Sequence, residues 1–504
     1  MSYQFAICII VFVAPLLIAP GICVDAFFVP KSAWIVVAWR FLLVAWLYRI
    51  LGDRRAIPRL GIELPLLAVL LTTVLSIAAS GTDADPQILA LVLVLLFAGL
   101  LYLFAYVWLR FCYLPSPHPL DWALGAGVLV SVYVLFQSYG LDAFDWQGGV
   151  ADWRGKLTGT MGGPNFVAGY LALVLPWSVY RIWSVKGLPV VLSLSAFAVM
   201  LAALVVTFSV GAWSGVLAGG VLAAIVGLRA RRSGTQKRAE ARSRKPPIRF
   251  IIAIGLSIFI LGFYLLNNPW NGVGRSLLTE ASESPRWRTG HGARRFIWKT
   301  TALMVRDRPV FGVGFDNYYR VHQVYQGELY RLRGTPHDRP TVSNVPQVHN
   351  EYYQHLAETG VPGFFALLWL LVAGVKRIRR NWAATPIALR PAFLAASAGL
   401  LAGAVHALTS FPLRIPPTAL LLTLLAAYVL ADPAGRSGSK AMFTLSWTKR
   451  VVILLAAALL FGAAFWVGEK PFVANAQLLR SMQEWRGDPI IPAIRAVEIY
   501  PYSH

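Results

Sequence analysis

"RARRSGTQKRAEARSRKPPIR", Arg229 to Arg249, carries nine Lys or Arg and a single Glu between two strongly apolar segments. Basic loops of this kind stay on the cytoplasmic side of a membrane. The stretch therefore sets both the class of the chain and its orientation. A helix needs about 20 apolar residues to cross a bilayer, and the segments on either side of the loop qualify, as do others along the chain. Thirteen spans are predicted: 3–22, 32–51, 61–80, 86–109, 119–140, 164–183, 188–208, 212–229, 250–267, 361–378, 391–411, 415–431 and 451–468. Counted outward from the basic loop, "YRILGDRRAIPR", "VKRIRR", Arg181 with Lys186, and Arg436 with Lys440 all fall on its side. The N-terminus is predicted cytoplasmic and the C-terminus external.

Composition agrees. The 504 residues are 57% hydrophobic and 14% charged, with a mean hydropathy of +0.59; soluble chains carry about 25% charged residues. The reading is an all-α polytopic membrane protein with about 12–13 transmembrane helices. The net charge of +23 follows from the cytoplasmic loops, and with no stacking platform or basic helix no nucleic acid partner is read. Cys8, Cys23 and Cys112 lack metal-ligand spacing, and no disulfide framework is possible beyond one pair. The N-terminus has no basic n-region or clear cleavage site, so the first apolar stretch is read as a retained span.

Four regions follow: N-terminal membrane helices over 1–267, a large external loop over 268–360, C-terminal membrane helices over 361–468, and a tail over 469–504. External stretches as long as 141–163 and 268–360 are usually functional. The tail, "ANAQLLRSMQEWRGDPIIPAIRAVEIYPYSH", resembles the opening of a tetratricopeptide repeat, a unit that cannot bury its own face alone.

Residues 268–350 hold twelve Lys or Arg against six Asp or Glu. Topology does not call for basic residues outside, so an anionic ligand such as a phosphate or pyrophosphate is the simplest reason, with arginine forks as its binders. In "GARRFIWKTTALMVRDRPVFGVGFDNYY", Gly292 to Tyr319, the residues Arg294, Trp298, Ala302 and Val305 recur at helical spacing. Pro309 ends that helix, and Gly312 and Gly314 are read as turn residues.

"VPQVHNEYYQHLAETGVPG", Val345 to Gly363, reads as a short helix along the membrane surface. Ser343 or Asn344 is the expected cap, with Pro346 in the first turn. Val345, Val348, Tyr352 and Leu356 form its apolar stripe, and His349 and Tyr353 share an adjoining face. Gly360 stops it, and Pro362–Gly363 opens the next span. A histidine at that boundary can take a proton from a hydroxyl near neutral pH. By spacing alone, His337 and His355 have equal claims.

His349, Asn350, Gly360 and Gly363 stand in a pattern that resembles the signature of bacterial O-antigen ligases, within a superfamily that includes O-antigen polymerases and protein O-oligosaccharyltransferases. "WRGKLTGTMGGPNFVAGYLAL" from Trp153, "TFSVGAWSG" and "RRFIWKTTALMVRDRPVFGVG" resemble further segments of that family in the same order, so the likeness covers roughly 150–430. The resemblance implies an inverting, metal-independent glycosyltransferase of the GT-C type that needs no ATP or other cofactor, in the bacterial inner membrane, with a periplasmic active site and a large helical periplasmic loop. It implies a donor glycan on undecaprenyl pyrophosphate and, in the ligases, lipid A-core as acceptor; a glycan repeat or a protein is the acceptor in the other branches. Carried over by position, His349 matches the essential histidine, Arg294 the arginine that contacts the pyrophosphate, with Arg295 one place away, and Arg154 the arginine before the Pro–Asn turn. Asn165, Arg288, Asn350 and Tyr353 complete the expected substrate contacts. The family's Ser–Arg pair is Ser209–Val210 here, and Arg154, Arg286, Arg288 or Arg295 are candidates to replace the missing guanidinium. A lipid or glycan transporter, with Arg40 or Glu63 as intramembrane charges, is the reading of a different class; it lacks an evident partner for either residue and an inverted repeat.

Overall fold

The computed structural model describes residues 3–23, 25–52, 57–81, 85–111, 118–142, 144, 157–232, 248–266, 268–270, 285–333, 345–431, 442–443 and 445–483. Almost all of them are helical. The N-terminal half runs through α1 (Tyr3–Leu16), α2 (Phe28–Gly52), α3 (Glu63–Ala79), α4 (Asp85–Phe111), α5 (Pro119–Ser138), α6 (Pro164–Ser184), α7 (Leu188–Val206), α8 (Val210–Arg232) and α9 (Ile248–Leu265). Two helices of the polar loop follow, α10 (Pro285–Asp307) and α11 (Tyr318–Arg333). Then come α12 (Glu351–Ala384), α13 (Arg390–His406), α14 (Pro416–Leu430) and α15 (Trp447–Gln483). Among the described residues the only strands are β1 (Ile57–Pro58) and β2 (Met442–Phe443), paired antiparallel.

Each of the thirteen predicted spans falls on one of these helices, α1–α9, the distal part of α12, and α13–α15. Among the described residues nine helices are long and apolar enough to cross a bilayer, while α1, α3 and α14 are apolar but shorter. The first span, predicted over 3–22, closes at Leu16; the eighth, predicted over 212–229, extends over Val210–Arg232. The bundle is apolar outside as well as inside. Leu67 and Leu71 of α3 and Ile251 and Ile258 of α9 are exposed, the pattern of helices backed by lipid rather than water.

Small residues let the central helices touch. A Cβ on Gly219 of α8 would lie 2.8 Å from the Ala398 carbonyl of α13, and one on Gly399 of α13 would lie 2.6 Å from the Leu173 carbonyl of α6. Close backbone approach of this kind is how helices pack where no water drives them together. The two intramembrane charges of the transporter reading have local work. Glu63 accepts from the Leu60 and Gly61 amides at 2.6 and 3.1 Å and so fixes the turn before α3, and Arg40 of α2 rests on the Phe461 ring of α15.

The helices alternate in direction and gather their connections at two ends. At one, Arg377 of α12 donates to the Leu430 and Arg59 carbonyls, Asn381 to those of Val429, Leu430 and Ala431, and Arg450 to that of Leu51. This is the basic end. The other end carries α10, α11 and the first turns of α12, held by a small core of Ile297, Met304, Val313, Tyr318, Val345 and Val348.

Candidate functional site

The site grows from the break in α12. Gly360, at φ 71 and ψ −175, divides a surface segment, 351–359, from the membrane segment that follows, as its glycine predicted. The turn after α10 docks on this break. Val313 and Gly314 donate to the Ala357 and Glu358 carbonyls, and Val361 donates to that of Pro309. A side chain at Gly360 would overlap the Val310 carbonyl, and one at Gly312 the Glu358 carbonyl. Both glycines sit in the left-handed region, so only glycine meets both demands.

The start of the surface helix differs from expectation. Ser343 and Asn344 lie outside the described residues, and the cap is Asn350, whose Oδ1 accepts from the Tyr353 amide at 3.0 Å. Val345–Val348 are not helical; their valines belong to the loop core. The buried side of the helix is Gln354, Ala357 and Glu358, while Tyr352 and Leu356 are half-buried. The apolar stripe was drawn from residue type alone, and here the buried polar groups are paired, which removes the cost of burying them. On α10 the packed side is likewise Ile297, Thr300, Thr301 and Met304 rather than the face through Trp298 and Ala302, both of which are exposed.

His349 therefore precedes the helix and has the left-handed backbone angle φ 56. Its neighbour Val348 is clamped on both sides: the amide donates to Gln354 Oε1 at 3.0 Å, and the carbonyl accepts from Trp298 Nε1 at 3.1 Å. The imidazole lies 5.4 Å from the Phe411 ring, and Phe411 in turn meets Phe166 of α6. Burial first, and the Arg294 guanidinium second, push its pKa down to about 4. The ring is thus neutral at physiological pH, the form that accepts a proton. Arg294 is half-buried, and burial lowers its own pKa. The structure brings these two residues to one locality, 55 positions apart in sequence. His355 has its ring 3.2 Å from the Gly363 carbonyl, at the helix break; His337 lies outside the described residues.

The remaining expected contacts divide. Arg154 lies outside the described residues. Arg288 falls within α10, and Arg295 is exposed. Tyr353 donates its hydroxyl to the Trp298 carbonyl at 3.1 Å, so Tyr353, like the cap Asn350, has a scaffold bond. Asn165 is the second residue of α6, and its backbone bonds the ring of His406, the last residue of α13. His406 was not anticipated. It is buried between Gly169 of α6 and Gly211 of α8; a side chain at Gly169 would collide with its ring, and one at Gly211 with Thr409. Val210, where the resemblance led to an expected arginine, is the exposed first residue of α8 at this same end.

Nor was Arg414 anticipated. In the short turn before α14 it pairs with Asp316, with Glu358 at 2.7 Å and with Glu351 at 3.5 Å. Burial works against its charge, but the three carboxylates outweigh that and hold its pKa above the ordinary value. Glu358, fully buried, also accepts from Gln354 Nε2 at 2.9 Å. A chain of polar contacts therefore runs from Arg414 through Glu358 and Gln354 to the Val348 amide beside His349. No local signal marks it, because Arg414 stands 98 positions from Asp316 and 56 from Glu358. Among the described residues no cluster of three or more His, Cys, Asp or Glu is arranged to hold a metal ion.

Residues 195–368 match the sequence family described as O-antigen ligase. The window runs from α7 to the start of the membrane part of α12, and so contains Arg294, His349 and Glu358 but not Asn165, His406 or Arg414. A protein of Haemophilus influenzae described as an uncharacterized protein is 25% identical over 134 residues, 26% of this chain and 31% of that one. The chain thus spans about a third of the length of that relative. His349 and Arg294 both lie inside the matched window, on a multi-pass helical membrane scaffold, so this part of the chain is similar to the O-antigen ligase family.

Proposed function

We propose that this protein transfers a glycan from undecaprenyl pyrophosphate to an acceptor hydroxyl at the periplasmic face of the bacterial inner membrane, and that the reaction is O-antigen ligation to lipid A-core. The family supports glycan transfer in general. The observation that carries the finer reading is the meeting of a neutral His349 with Arg294 at the end of the bundle opposite its basic connections. That placement agrees with basic loops inside and chemistry outside.

In this mechanism the acceptor oxygen attacks the anomeric carbon from the face opposite the pyrophosphate. One C–O bond forms as the sugar–phosphate C–O bond breaks, and the anomeric centre inverts. The hydroxyl proton passes to the imidazole of His349, and undecaprenyl pyrophosphate departs with the bonding pair. Arg294 stabilises the negative charge that grows on the leaving phosphate, the kind of preorganised electrostatic contribution that dominates many enzymes. The positive end of α6 lies at the same end of the bundle and adds to it. Burial first, and Arg294 second, keep His349 unprotonated before the donor arrives, so the base is ready when the anion binds.

The test is incubation of the purified protein with undecaprenyl-pyrophosphate glycan and a panel of acceptors, read by mass spectrometry. Ligation predicts glycan on lipid A-core. Product on a second lipid-linked repeat or on a protein serine or threonine would instead assign the polymerase or oligosaccharyltransferase branch. Transfer to none, or equal transfer by His349→Ala, removes the mechanism.

A further inference from the structure

An apolar cavity of about 830 Å³ opens at the basic end, between α6, α7, α8, α9 and α13 and next to the end of α12. It lies away from His349 and takes no part in the transfer chemistry. Val179, Trp183, Leu228 and Leu261 line it and are exposed, so it is open sideways to lipid. Tyr180, Trp183 and Trp382 also line it, and such aromatic residues mark the headgroup level of a bilayer.

Two guanidiniums sit on this rim. Arg390 lines the cavity and lies over the Trp382 ring at 5.4 Å; Arg249 lies over the Trp183 ring at 5.4 Å. Each donates to one carbonyl, Arg390 to Thr385 and Arg249 to Val185. Among the described residues neither is paired with a carboxylate. Arg181, also at this end, is different, because Asp121 holds it at 3.2 Å. An arginine has five N–H donors, so both forks keep donors for an anion, and stacking on a ring fixes their planes. A long apolar slot beneath uncompensated guanidiniums at headgroup depth matches one kind of molecule.

We propose that this cavity binds an anionic glycerophospholipid of the leaflet at the basic end, acyl chains in the slot and phosphate on Arg249 and Arg390. The site is independent of the transfer reaction. The occupant is a phospholipid rather than the donor's carrier lipid because the charge that selects the headgroup is at the basic end, away from His349 and Arg294.

Native mass spectrometry of the detergent-purified protein tests it, with phosphatidylglycerol, phosphatidylcholine and undecaprenyl phosphate as separate probes. One phosphatidylglycerol should be retained in preference to phosphatidylcholine. The double variant Arg249→Gln/Arg390→Gln should weaken that retention by about tenfold, as loss of charge-assisted bonds implies. Gly220→Leu should exclude the lipid by filling the slot; a side chain begun there meets no atom within 4 Å, so its thermal unfolding midpoint should match the wild type. Equal retention of both phospholipids, indifference to these substitutions, or preferential retention of undecaprenyl phosphate would overturn the proposal.

Discussion

The two ends of the bundle use arginine differently. At the basic end Arg377, Arg249, Arg390 and Arg450 donate to backbone carbonyls at or beyond helix ends. They close termini that would otherwise leave acceptors unpaired and meet the negative pole of the helix dipole. At the other end Arg414 meets three carboxylates, and Arg294 acts on His349 through its charge. The backbone differs in the same sense. The non-glycine residues with positive φ among the described residues are Phe208, Asp316 and His349, all at the site end. Strain of this kind costs about 1–3 kcal/mol per residue and persists where function demands it. One end is built for topology, the other for holding a few side chains in place.

The largest break in that contrast is His349→Ala. Losing a general base lowers the transfer rate by about 10²–10⁴-fold, with the unfolding midpoint and donor binding unchanged, measured by single-turnover assay and by donor titration. Next comes Arg414→Met, which leaves the fully buried Glu358 without its cation. Removing one member of a buried ion pair costs about 3–5 kcal/mol, to be read from denaturant unfolding in detergent. Transfer should fall as well, because the Glu358–Gln354–Val348 chain that holds His349 loses its anchor.

Hydropathy and charge made the membrane helices legible because each is a local signal, some twenty residues long. Gly360 was legible for the same reason: a glycine between two helical patterns. The cap was not, since Ser343, Asn344 and Asn350 are all good caps by type, and the choice fell to Val345 and Val348, which the loop core claims. The buried face of the surface helix was not either, because Gln354 and Glu358 are buried only by virtue of partners far away in the chain. His349 and Arg294 were singled out by family resemblance; their meeting, and the part of Arg414 and His406, needed the fold.

A pH profile sharpens the contrast with a smaller effect. kcat/KM reports the ionisations of the free enzyme. With the His349 pKa held down to about 4, kcat/KM should stay level as pH falls through 6.5 and decline only as it nears 4. Arg294→Gln removes the lesser of the two causes, so the acid limb should shift upward while burial keeps it below 6.5. A limb near 6.5 in the wild type would mean that His349 is solvated in solution.

The smallest effect should come from Arg377→Gln at the basic end. Among the described contacts Arg377 donates to the Leu430 and Arg59 carbonyls, and a typical hydrogen bond contributes about 0.5–1.5 kcal/mol net. The side chain is half-buried, so water can replace part of what is lost. Unfolding should therefore shift by about 1 kcal/mol or less, and the transfer rate should not change, because Arg377 holds carbonyls at the end of the bundle opposite His349. A loss of transfer in this variant at unchanged stability would mean that the two ends are coupled through α12, on which Arg377 and the surface segment beside His349 both lie. The break at Gly360 argues against that coupling: the backbone leaves helical geometry there, and the turn 309–314 docks on the surface segment from outside the helix.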